Sequence, residues 1–281
     1  MTKTLSQTTL DLIDQFLNLT FNGKKVSTPY FNNRRAGSRG ALRVSVGKGS
    51  IEDIREELKI LSLREKVDLR DLDEEIIKRF IVNHKIGIDC SGFVYYILDT
   101  ELQAQNKGHL KKHLKFPHVK NPLRKLLTKL RPVENCSVKT LAHEMNSTKI
   151  ELKNIQSGDM IMLMNTGPRK DYNHVMLVES VILNEVKDLS YHENSQQKEQ
   201  EGEEIQLKRD SSSSLLRMTV TYVHSFQYPE DGKYNHGVRK ETVVITDDSK
   251  SIVDQQWNCS EMNHYKDSAE SISIHRLKAL S

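Results

Sequence analysis

An α+β fold is the class this 281-residue sequence predicts, and three features predict it. Apolar residues recur at helical spacings of three and four through the first hundred positions. From Ile150 onward they gather instead into short β-rich runs broken by turn residues. Between the two regimes a cysteine, Cys90, opens a strongly apolar helical pattern, so the expected architecture sets that helix against a small antiparallel sheet.

The elements follow in order. Residues 5 to 19 place Leu5, Leu12, Ile13, Phe16 and Leu17 on one side of an amphipathic helix, with Thr8 or Thr9 as its cap. Asn32 to Gly49 is rich in glycine, arginine and asparagine and predicts loop or hairpin. Ser50-Ile51-Glu52-Asp53 has the form of a capping box, followed by Ile54, Leu58 and Leu61, and Asp71 or Asp73 would cap a second run through Ile76, Ile77, Phe80 and Ile81. Residues 1–85 thus read as an N-terminal helix plus helical extension packed on a core formed by 86–281, with His84 as a loop histidine.

Cys90 carries the chemistry in Ile86-Gly87-Ile88-Asp89-Cys90-Ser91-Gly92-Phe93-Val94. It falls at the first turn of the helix that buries Phe93, Val94, Ile97 and Leu98, with Asp89 or Ser91 as cap. A helix N-terminus and a nearby imidazolium lower a thiol pKa, which predicts an available thiolate. Ser91 and Gly92 leave room for an incoming carbonyl, and unpaired first-turn amides would hold an oxyanion.

Farther on, nine lysines and arginines and no acidic residue lie between Gln103 and Pro132. The run reads as a solvated face, or as a contact for an anionic polymer or lipid surface through 107–131. Phe116 is its one aromatic, too few for stacking on single-stranded nucleic acid. Gly158-Asp159 turns into the strand Met160–Met164, Asn165-Thr166-Gly167-Pro168 turns out, and a second strand begins at Asn173-His174. Residues 184–217 hold eight acidic and five basic side chains and four consecutive serines, the composition of a disordered insert. Lengthening a flexible loop to about thirty residues costs only about 2 kcal/mol in closure entropy. Alternation returns at Met218–Ser225, and Val243–Ile245 and Ser271–Ile274 would complete the sheet.

Three pieces in one order, Asp89-Cys90-Ser91-Gly92-Phe93-Val94, Ser157-Gly158-Asp159-Met160-Ile161 and His174-Val175-Met176-Leu177-Val178, resemble the NlpC-type peptidoglycan endopeptidases, papain-like cysteine hydrolases. The resemblance covers residues 86 to 182 well, 218 to 245 loosely and the first 85 weakly. It implies Cys90 as nucleophile, His174 as general base, and a third residue orienting the base at His224, with His236 as rival. It also implies a substrate site including Tyr30, from Pro29-Tyr30, with Asp89 and Ser91 beside the nucleophile. In the family that tyrosine stands roughly a dozen residues before the cysteine; here the gap is about sixty. The implied reaction is cleavage of a γ-D-glutamyl to diamino acid bond in bacterial cell-wall stem peptides, with no metal or organic cofactor.

Composition bounds the rest. Cys90, Cys136 and Cys259 form no Cys-x-x-Cys pair, so a disulfide framework or a cysteine-rich zinc site is not expected. No apolar run reaches the length of a membrane helix, and Met1–Gln7 lacks the regions of a secretory signal, which predicts cytoplasmic residence or non-classical export. Two other readings use the same residues. A lecithin retinol acyltransferase-like lipid enzyme shares the thiol and imidazole, but there the histidine precedes the cysteine. A non-catalytic peptide- or glycan-binding module would keep only the cleft.

Overall fold

The computed structural model describes residues 4–37, 40, 42–185 and 216–281. Helix α1 (Gln7–Leu17) leads into the short hairpin β1 (Leu19–Phe21) and β2 (Lys24–Val26). Ser6, not Thr8 or Thr9, caps α1. Thr9 is wholly buried within the helix, and the Ser6 hydroxyl is itself fixed by Glu101. Helices α2 (Ile51–Glu65) and α3 (Glu74–Asn83) follow, the first with the complete Ser50/Asp53 capping box. His84 ends α3 and bonds Glu65, away from the cleft described below.

Helix α4 (Cys90–Ala104) is the central helix; ten of its side chains from Cys90 to Leu102 are buried. Helix α5 (Pro122–Leu130) lies within the basic region, and α6 (Pro132–Asn135) and α7 (Val138–Ala142) follow it. The sheet is built from β3 (Ser147–Ile150), β4 (Met160–Thr166), β5 (Tyr172–Glu185), β6 (Leu216–Phe226), β7 (Gly237–Ile245), β8 (Gln256–Trp257) and, after α8 (Ser260–Ser268), β9 (Ser271–Leu277). Its order is β3-β9-β4-β5-β6-β7-β8 with every neighbouring pair antiparallel, so the fold is mixed α+β as its class predicts.

Strand alternation separates two apolar layers. Met160, Met162, Val175, Leu177 and Val223 pack with α1 through α4, while Ile161, Leu163, Met176, Val178 and Tyr222 pack with Trp257 and Tyr265 on the other side. Burial on both faces explains why Met160–Leu163 reads as an unbroken apolar run. The first layer draws on residues from Leu5 to Leu277, so the first 85 residues share the core with the sheet. The disordered insert expected at 184–217 lies outside the described residues except at its ends, where Asn184 and Glu185 still pair with Arg217 and Leu216.

Three remote segments meet beneath the start of α4. The Ile88 amide donates to the Pro29 carbonyl at 2.9 Å, the Phe31 amide to the Ile88 carbonyl at 3.3 Å, and the Asp89 amide to the Gly47 carbonyl at 2.9 Å. Tyr30 is therefore a neighbour of Ile88 despite the long intervening sequence, because α2 and α3 are accommodated between them. Gly87 makes this approach possible: a Cβ there would lie 2.3 Å from the Pro29 carbonyl oxygen and 2.9 Å from the Phe31 Cβ. Gly87→Ala should lower unfolding free energy by about 1–3 kcal/mol in denaturant titration, as expected for overpacking against backbone.

Candidate active site

Cys90 is the first residue of α4 because Asp89 caps the helix, its Oδ1 accepting from the Gly92 amide at 2.7 Å. That carboxylate is buried and would be costly alone. Lys48 compensates it: Nζ donates to Asp89 Oδ1 at 2.8 Å, to Ser91 Oγ at 2.7 Å and to the Cys136 carbonyl at 2.9 Å. Asn32 donates to the other oxygen, Oδ2, at 3.3 Å. Asp89 and Ser91 are thus committed to holding the turn at Cys90, although both still line a cleft of about 660 Å³. Tyr30, Arg35, Lys48 and Cys90 line it too, and Tyr30 and Arg35 also border an adjoining cleft of about 410 Å³ with Tyr172 and Tyr228.

The thiol is 7% exposed. Its pKa is not lowered, as the helix-terminus argument expects, but raised to about 11, by burial first and by the Asp89 carboxylate next. The Val175 amide donating to the sulfur, Lys48 and Arg35 act the other way and are outweighed. Burial of a charge costs more here than the helix end returns. Cys136, buried in the wall of the same cleft, is pushed up to about 12, and Cys259, far along the chain, to about 11, again chiefly by burial.

His174, one residue before the amide that holds the Cys90 sulfur, enters a buried polar chain. Its Nε2 lies 2.8 Å from Nδ1 of His224, and Nε2 of His224 faces Glu241 Oε2 at 3.3 Å. Burial would raise the Glu241 carboxyl, but His224 and the Tyr222 hydroxyl bring it down to about 2. His224 Nε2 meets no hydrogen-bond geometry at that distance, but the facing carboxylate favours a proton on it, with Nδ1 then accepting from the Nε2–H of His174. That leaves Nδ1 of His174 as a lone-pair acceptor, and this atom is buried without a hydrogen-bond partner. Burial, then the neighbouring His224, holds the His174 pKa well below the usual imidazole value. Thiol and imidazole form no direct hydrogen bond, and His174 does not line the cleft that Cys90 borders.

Of the sequence-predicted residues, the structure gathers Tyr30, Asp89, Cys90 and Ser91 around one cleft, and joins His174 to His224. His236 stands apart from that pair, its Nδ1 accepting from the Tyr30 amide at 3.1 Å and its Nε2 lying 2.9 Å from the Lys233 carbonyl. Lys48 and Glu241 leave no signal in the sequence, since each acts through partners more than ten positions away. No protein-family model, curated protein or solved structure matches this chain.

Two measurements follow from this geometry. Lys48→Met should destabilise the fold by about 3–5 kcal/mol, because it strands a buried carboxylate; chemical denaturation reads the loss, and the double variant Lys48→Met, Asp89→Asn should recover part of it. Labelling of Cys90 by iodoacetamide, followed by peptide mass spectrometry, should speed up about tenfold per pH unit between pH 7 and 10. A flat profile across that range would mark a resting thiolate and contradict the neutral thiol described here.

Proposed function

We propose that this protein is a papain-like cysteine hydrolase of the NlpC type, acting on amide bonds, in which Cys90 attacks, His174 moves the proton, and His224 with Glu241 orients His174. The observation that carries the reading is the buried His174–His224–Glu241 chain, which leaves Nδ1 of His174 unpartnered one residue from the amide bound to the Cys90 sulfur.

Both groups rest neutral, so the thiol proton passes to Nδ1 of His174 as the sulfur bonds to the carbonyl carbon and the carbonyl π pair moves onto oxygen. The amides of Gly92 and Phe93 are engaged by Asp89, which leaves those of Cys90 and Ser91 to hold the oxyanion. Collapse expels the amine, which takes the proton from His174, and water then cleaves the thioester by the reverse route. Arg34, Arg35 and Lys139 bring cationic charge to the cleft, where Arg131 is paired with Glu134; that charge suits a peptide with free carboxylates, as in a peptidoglycan stem peptide cut between γ-D-glutamate and a diamino acid. One observation favours the second reading, a non-catalytic peptide or glycan binder: the thiol is held neutral and is not hydrogen-bonded to the imidazole.

Incubation with purified muropeptides, with products read by mass spectrometry, separates the two. Cleavage at a single amide position, reduced about a thousandfold or more in Cys90→Ala and in His174→Ala, is the expected outcome. Binding of intact muropeptides without products, equal in wild type and Cys90→Ala, would instead establish the binder.

A further inference from the structure

Helix α5 turns its apolar side outward. Leu123, Leu126, Leu127 and Leu130 occupy positions i, i+3, i+4 and i+7, the stripe that on a surface helix normally meets the core. Here they are 73%, 56%, 54% and 65% exposed. The buried residue is Thr128 on the opposite side, its hydroxyl donating to the Lys125 carbonyl. The helix is still well specified, with Pro122 in its first turn and the Asn121 side chain accepting from the Leu123 and Arg124 amides. Four leucines aligned on one exposed stripe mark a surface that something covers.

Charge identifies the cover. At 3.6 residues per turn, Arg124 and Lys129 flank the stripe on its two sides, while Lys120 and Arg131 stand at its ends. No acidic residue occurs between Glu101 and Glu134. Cationic side chains whose stems border an apolar stripe suit a helix lying in the plane of a bilayer, with leucines among the acyl chains and ammonium and guanidinium groups at anionic headgroups. We infer that α5 docks this protein on an anionic lipid surface. Arg131 and Glu134, at the junction of α5 and α6, also line the 660 Å³ cleft, so docking sets the cleft beside the membrane plane. The inference stands on the helix alone and does not depend on the hydrolase reading.

The test is flotation of the full chain with vesicles of phosphatidylcholine alone or of phosphatidylcholine and phosphatidylglycerol in equal parts, at low salt and at about 0.5 M salt. Binding to the phosphatidylglycerol vesicles at low salt is expected, about tenfold weaker or less still at high salt. Leu126→Ser with Leu127→Ser, and separately Arg124→Gln with Lys129→Gln, should each weaken it about tenfold while leaving the circular dichroism spectrum unchanged. Absence of binding, equal binding to both vesicle types, or full binding by the leucine variant would each overturn the inference. So would a dimer seen by light scattering that the leucine variant abolishes, since that would assign the stripe to a second copy.

Discussion

A single buried ammonium sets the geometry on which the rest depends. Lys48 meets the carboxylate that caps α4, the hydroxyl of Ser91 and the carbonyl of Cys136, drawing the loop at 47–48, the helix start and the segment entering α7 to one point. Without that cation the capping carboxylate would be an uncompensated charge in a low-dielectric interior, and the turn that presents the sulfur would lose its reason to form. The same arrangement limits the thiol. Near-complete burial and a carboxylate beside the sulfur keep it protonated.

A second polar chain is organised by its far end. Glu241 carries its charge into the interior, where Tyr222 and Tyr228 hydroxyls and the His224 ring receive it. Through two imidazoles that charge decides which nitrogen of His174 is an acceptor. The role of Glu241 is therefore one of orientation at a distance.

Much of this was legible from local pattern. The Ser50/Asp53 capping box, the helix beginning at Cys90, the turn at Gly158-Asp159 and the strands bearing His174 and His224 all leave short-range signatures, because caps, turns and alternation are properties of adjacent residues. Lys48 and Glu241 leave none; a lysine in a glycine-rich loop and a glutamate in a polar stretch look solvated until the chain is folded around them. Tyr30 looked too far from Cys90 because sequence separation counts the residues of α2 and α3, whereas the fold accommodates them between paired segments. The leucines of α5 were visible, yet their spacing is the same whether a stripe faces inward or outward. Trp257 and Tyr265 sit in stretches without periodicity, and only the second apolar layer explains them.

The long β5–β6 hairpin also has a practical use. After a bulge between Val178 and Ser180 its strands stay paired out to Glu185 and Leu216, eight residues beyond His224 and so about 27 Å away at ~3.4 Å per residue. Because the two ends are already held side by side, the scaffold there is indifferent to what bridges them. A fluorescent protein or an affinity handle spliced at that junction would report on the molecule from a remote corner, with the His174–His224 pair at the opposite end of the strands left to itself.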